Sequence, residues 1–167
     1  MLPRANALLV LVALGGCGGG SSFAAGVYRD AEATYRVGRL GPGFERLDMD
    51  QNDLAWHAPS LGAIVQVNAT CDPFQDVPLT SLTNHLLIGF TDRDRRSEDR
   101  VRLDGREALR SYYVASLDGV PRELLLLVMK KDECTYDFAL IAPPGSSFER
   151  ARPDFERFVA GFTTESP

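Results

Sequence analysis

Apolar positions change rhythm several times along the chain, and each rhythm predicts a different element. The first is an unbroken run, Leu8 to Leu14, followed by Gly15, Gly16 and Cys17 and then a Gly/Ser tract over residues 18–22. It is shorter than the roughly 20 residues a helix needs to cross a bilayer, and it fits the apolar core of a secretory leader entered through Arg4. Residues 23–28 continue as an arm. Short strands are then predicted over residues 34–37, 44–49 and 54–58. Residues 63–69, rich in β-branched side chains, form the first strongly marked strand. Asp76, Val77 and Pro78 open a helix in which Leu79, Leu82, Leu86, Leu87 and Phe90 recur at helical spacing, with Gly89 near its end. Residues 91–100 carry four Arg and four acidic side chains and read as a solvated surface loop. Strands follow over residues 101–103, 108–117, 120–129 and 135–141. Asp118 and Gly119 supply a tight hairpin turn between two of them. Leu124 to Met129 is apolar on both faces, which predicts a strand covered on both sides. A helix starting at Pro153 closes the chain, its stripe made by Phe155, Phe158, Val159 and Phe162.

The leader has a further feature. Leu14, Gly15 and Gly16 in front of Cys17 resemble a bacterial lipobox. That resemblance implies residues 1–16 as a lipoprotein signal peptide and Cys17 as the diacylated first residue of the mature protein. Residues 17–33 then form a flexible tether and residues 34–165 a single globular domain. Gly18 after Cys17 points, by analogy with enterobacterial sorting, to the outer membrane, facing the periplasm.

Composition narrows the class. With 44% hydrophobic and 25% charged residues the chain is globular and has material for a core. Its 18 Lys and Arg stand against 23 Asp and Glu, interleaved, for a net charge of −5. That balance argues against a nucleic-acid surface and offers no polybasic patch for anionic lipid, so membrane attachment rests on the acyl chains of Cys17. With Cys17 lipidated, Cys71 and Cys134 remain as a pair in an oxidising compartment, most simply as one disulfide. The alternatives are a redox pair, for which no Cys-x-x-Cys spacing exists, and a thiolate metal site, which would need His57 and His85 to converge on the cysteines.

Hairpin-linked strands with helices between their runs belong to the α+β class: an antiparallel sheet packed with helices. Tyr35, Arg36 and Val37 at the start resemble the PsbP/Mog-type α/β sandwich. So do the meander over residues 106–141 and the closing segment from Phe155 to Phe162. The resemblance implies that fold, and it implies a binding or assembly factor rather than a catalyst.

Candidate chemistry is sparse. His57 lies in a strand beside Trp56, and His85 on the polar half of the first helix. No Gly-x-Ser-x-Gly elbow, His-Glu-x-x-His motif or phosphate loop is present. The acidic stretch over residues 72–76 lacks the ligand alternation of a calcium loop. Trp56, Tyr112 and Tyr113 are candidates for lining a ligand groove, with a place in the core as the plainer reading. The sequence therefore predicts a non-catalytic, lipid-anchored envelope protein without cofactor or metal, binding a protein partner. A small-molecule or lipid carrier, with a cavity between sheet and helices, is the alternative.

Overall fold

The computed structural model describes residues 20–49, 52–72 and 76–164. Eleven strands and two helices make up this part of the chain. In order they are β1 (Ser22–Ala24), β2 (Val27–Arg29), β3 (Thr34–Arg36), β4 (Glu45–Leu47), β5 (Leu54–Ala58) and β6 (Ala63–Cys71), then α1 (Leu79–Leu86). There follow β7 (Phe90–Leu103), β8 (Arg106–Leu117), β9 (Val120–Lys131), β10 (Cys134–Ala142), α2 (Ser146–Ala160) and β11 (Thr163–Thr164). A seven-stranded sheet runs β4-β5-β6-β10-β9-β8-β7, and its pairs are all antiparallel. A small second sheet runs β1-β2-β3-β11. The architecture is the α+β sheet-and-helix packing that the order of elements predicts.

The large sheet separates two apolar clusters. On one face α2 lies over β10 and β6. Phe148, Ala151, Phe155, Phe158 and Val159 point inward from the helix and meet Val65, Val67, Phe138 and Leu140. On the other face Leu87, Phe90, Tyr113, Ala115, Leu124, Leu126 and Ala139 pack together beneath α1. Strand β9 serves both: Leu125, Leu127 and Met129 belong to the first cluster, Leu124 and Leu126 to the second. This explains why its sequence shows no alternation. Gly38 and Gly161 let the end of α2 touch the segment after β3. The Gly38 amide donates to the Phe158 carbonyl at 2.9 Å, and a Cβ on Gly161 would lie 2.5 Å from Gly38 Cα.

Three expectations are corrected. Residues 91–100 are not a loop; they lie inside the fourteen-residue strand β7 at one edge of the sheet. Backbone pairing to β8 holds them, with register shifts between Thr91 and Asp94 and between Arg95 and Ser97. Their charges face water on both sides and pair locally, as Arg95 does with Glu98 at 2.9 Å and Arg96 with Asp94 at 3.1 Å. Such charge is how an edge strand avoids pairing with other chains. Next, α2 begins at Ser146 rather than Pro153, which sits inside it and is exposed. Proline leaves the Glu149 carbonyl without its helical donor, a loss tolerated here because Glu149 is exposed to solvent. Last, the stretch read as tether contains β1 and β2. Val27 and Tyr28 are buried there, and Tyr28 stacks on Tyr35 with centroids 5.0 Å apart.

Candidate functional site

The positions singled out in the sequence separate into three groups. Cys17 lies outside the described residues. Cys71 and Cys134 are joined in a disulfide with Cα atoms 3.9 Å apart, as directly opposed residues of β6 and β10. The third group does not converge. His57 is a half-buried residue of β5 paired in register with Glu45 and Ile64, and His85 is exposed on α1. Among the described residues no group of three or more His, Cys, Asp or Glu side chains is arranged to hold a metal ion. The aromatic candidates pack. Trp56 sits edge-on between Phe23 at 5.7 Å and Phe158 at 5.1 Å. Tyr112 stacks on Phe148 at 5.3 Å, while Tyr113 is buried under α1.

Two features of the surface could engage another molecule. Helix α2 packs mainly over β10 and β6, and beside its C-terminal half strands β7, β8 and β9 leave a groove of about 340 Å³. Its walls are Val101, Leu103 and Leu127 on the sheet and Phe155 and Val159 on the helix, with Arg102 and Arg110 at the rim. Arg110 reaches Asp99 at 3.5 Å. Among the described residues no carboxylate lies within 4.0 Å of the Arg102 guanidinium, which meets only the Gly105 carbonyl at 3.5 Å. The groove has apolar walls that are themselves nearly covered, and a mixed rim in which Glu156 stands with the two arginines.

A polar chain starts at Tyr35, in the cluster on the α2 side, and passes through Asp53 to Asn68 and Asp137, which alternate with Val67 and Phe138 and so lie on the opposite face of the sheet. The Tyr35 hydroxyl donates to Asp53 Oδ2 at 3.0 Å, and the Ala69 amide donates to the same oxygen at 2.8 Å. Asn68 accepts from Asn52 Nδ2 and the Asp53 amide at 3.1 and 3.2 Å, then donates through Nδ2 to Asp137 Oδ1 at 3.0 Å. Burial raises the Asp53 carboxyl above its usual range against the pull of those donors, and burial together with Asp53 drives the Tyr35 hydroxyl far up. Burial likewise pushes Asp137 up to about 6, with the Asn68 amide opposing and the Asp53 charge adding to it.

Sequence reasoning missed this chain. The signal available was one acid, Asp137, in a strand whose other residues from Tyr136 to Ala142 are apolar. A raised carboxyl has a definite consequence for stability. The native state takes up its proton near pH 6, while the unfolded chain waits until about pH 3.9, so between these values stability falls as pH rises. Asp137→Asn keeps an acceptor for Asn68 and removes the charge. It is expected to stabilise the protein by on the order of 2 kcal/mol at roughly pH 7.5, an advantage that disappears near pH 3. Urea unfolding at several pH values checks this.

No protein-family model matches the sequence, and no curated protein matches it. Solved structures do. The chain is similar to LpqN of Mycobacterium tuberculosis, a protein involved in cell envelope biogenesis, with TM-score 0.56 and 10% identity over 80% of this chain and 86% of that one. It is similar to CyanoP, the cyanobacterial PsbP of Synechocystis sp. PCC 6803, with TM-score 0.55 and 15% identity over 91% and 99% of the two chains. A protein of Bacteroides thetaiotaomicron gives TM-score 0.57 at 9% identity over 79% of this chain, which spans only 45% of that longer one. At such identities the likeness speaks for the fold: the chain has the PsbP-like α+β architecture.

Proposed function

We propose that this protein is a lipid-anchored module of the bacterial envelope, held through Cys17 in the outer membrane and facing the periplasm. It works by protein contact, without catalysis. The observation that carries the reading is a filled core beside an open groove. Phe138, Phe148, Phe155, Phe158 and Phe162 are all 2% exposed or less and fill the space between sheet and α2, while the groove beside that helix is open. A partner that sets an apolar side chain into the groove and a carboxylate beside Arg102, whose guanidinium meets the Gly105 carbonyl, complements it. The sheet order suits such a task. Phe23, at the start of the domain, packs on β5, whereas β7 lies five interstrand spacings away, roughly 24 Å. The groove therefore lies toward the sheet edge remote from Phe23. The envelope-biogenesis role of LpqN supports the envelope part of this reading.

A second reading draws on the same groove. Its volume falls at the lower end of small-ligand pockets, roughly 300–1,000 Å³, so a carrier of a small apolar molecule is the alternative. Photo-crosslinking in intact cells separates the two. A photoreactive residue at Arg102 or Glu156, both lining the groove, is expected to give discrete protein adducts, and one at exposed Met49 to give none. Adducts with lipid alone would favour the carrier. Protein adducts no stronger from the groove than from Met49 would overturn the contact reading.

A further inference from the structure

The polar chain ends in a cleft of about 250 Å³ between α1 and strands β6, β10 and β9. Asp137 lines it together with Thr70 and Thr135, which stand directly opposite each other across β6 and β10. Leu82 and Leu86 of α1 and Val128 of β9 supply an aliphatic wall, and His85 stands at the rim. The function proposed above leaves this site unused.

Its chemistry is specific in three respects. Asp137 gives Oδ1 to Asn68, and its Oδ2 receives no hydrogen bond from any described residue. Neither threonine hydroxyl has a hydrogen bond to a described residue, so both remain able to accept. The carboxylate also lies in a partly buried place where its charge is costly and where Asp53 adds repulsion. Of the cations nearby, Lys130 is beside Thr135 in the β9–β10 register and reaches Asp76 at 3.8 Å. His85 is exposed on the helix above.

We propose that this cleft binds a primary alkylammonium group, with Asp137, Thr70 and Thr135 as its acceptors. An ammonium carries three N–H donors, which matches a carboxylate oxygen and two hydroxyls. Its positive charge compensates a carboxylate that has no cationic partner among the described residues, and a charge-assisted hydrogen bond is the strong kind. The aliphatic wall accommodates a short alkyl stem. The same group is carried by a free amine and by the lysine side chain of another protein, so the chemistry is assigned and its source is left to the test.

The test uses the purified protein, titrated with butylammonium chloride and followed through its backbone amide NMR signals. Saturable shifts are expected at Thr70, Thr135, Asp137 and Leu82, with a Kd of roughly 1–10 mM. Butanol, which has the same stem without the charge, should bind at least about tenfold more weakly, and Asp137→Asn should weaken butylammonium by about the same factor. Thr135→Val provides a second variant that leaves the carboxylate in place, and it too should lose affinity. Binding should fall as pH drops through about 6, because the proton taken up by Asp137 removes the attraction. His85 stands at the rim of the cleft, so the fall must persist in His85→Gln. Nα-acetyl-lysine methylamide forms the other arm. Tighter binding than butylammonium points to a partner's lysine, and weaker binding to a free amine. Equal affinity for butanol and butylammonium, undiminished binding by Asp137→Asn, or no saturable shift in this range would overturn the site.

Discussion

Replacing Cys71 and Cys134 together by alanine is expected to cost about 2–5 kcal/mol of folding stability. The two residues are 63 positions apart and directly opposed across β6 and β10, strands that lie next to each other in the interior of the sheet. Everything from α1 through the β8–β9 hairpin lies inside the loop they close. In the chain-entropy account, closing a loop of this length is worth on the order of 4 kcal/mol, mainly by restricting the unfolded chain. The native side of the balance changes little. The Asp72 amide still donates to the Glu133 carbonyl at 3.0 Å beside the bridge, and the ladder continues through Thr70–Thr135 and Ala69–Tyr136. Urea unfolding of the oxidised protein, the reduced protein and the double variant checks this. The last two should coincide well below the first. Agreement of all three within about 0.5 kcal/mol would show that the bridge carries no stability.

Phe158→Ala should cost more than any surface change, about 3–5 kcal/mol. Its ring is fully buried and lies 5.1 Å from Trp56 and 6.4 Å from Phe138, and it links the β5 side of the sheet to α2. Truncation removes the transfer energy of a phenyl ring and leaves a space that neighbouring strands cannot close without breaking their ladder. Trp56 is the chain's one tryptophan, so its emission reports this space directly. A red shift in the native baseline should accompany the loss in midpoint. Met49→Ala, at a position 47% exposed, should stay within about 0.5 kcal/mol. Comparable losses at the two positions would contradict the packing described.

What the chain discloses in sequence follows from how locally each element is determined. The strands β5, β6, β8, β9 and β10 are legible because β-branched and apolar runs end at turn residues. Asp118 and Gly119 both adopt the positive φ that a tight hairpin turn requires, at 50° and 77°. Of strand β7 only the end, residues 101–103, is legible, because over residues 91–100 the edge strand has no buried face to impose alternation. Its pairing comes from β8, not from its own side chains. The start of α2 is hidden by Pro153. A proline is favoured at a helix start, and only Phe148 and Ala151, packed against the sheet, show that the helix is already under way. Phe23, Val27 and Tyr28 read as an arm because three-residue strands are too short for a period to appear. The groove and the Asp137 cleft could not be read at all. Each is made by elements distant in sequence, and each depends on where α1 or α2 stops short of covering the sheet.

Cys17 lies outside the described residues, so anchoring and the absence of a carried ligand are best tested on one sample. The measurement is the intact mass, under native conditions, of the protein extracted from the envelope and passed through gel filtration. The expected result is a chain beginning at Cys17 with a diacylglycerol mass on that residue and no further non-covalent mass. A chain beginning elsewhere without acylation, or a small apolar molecule retained at one copy per chain, would contradict it.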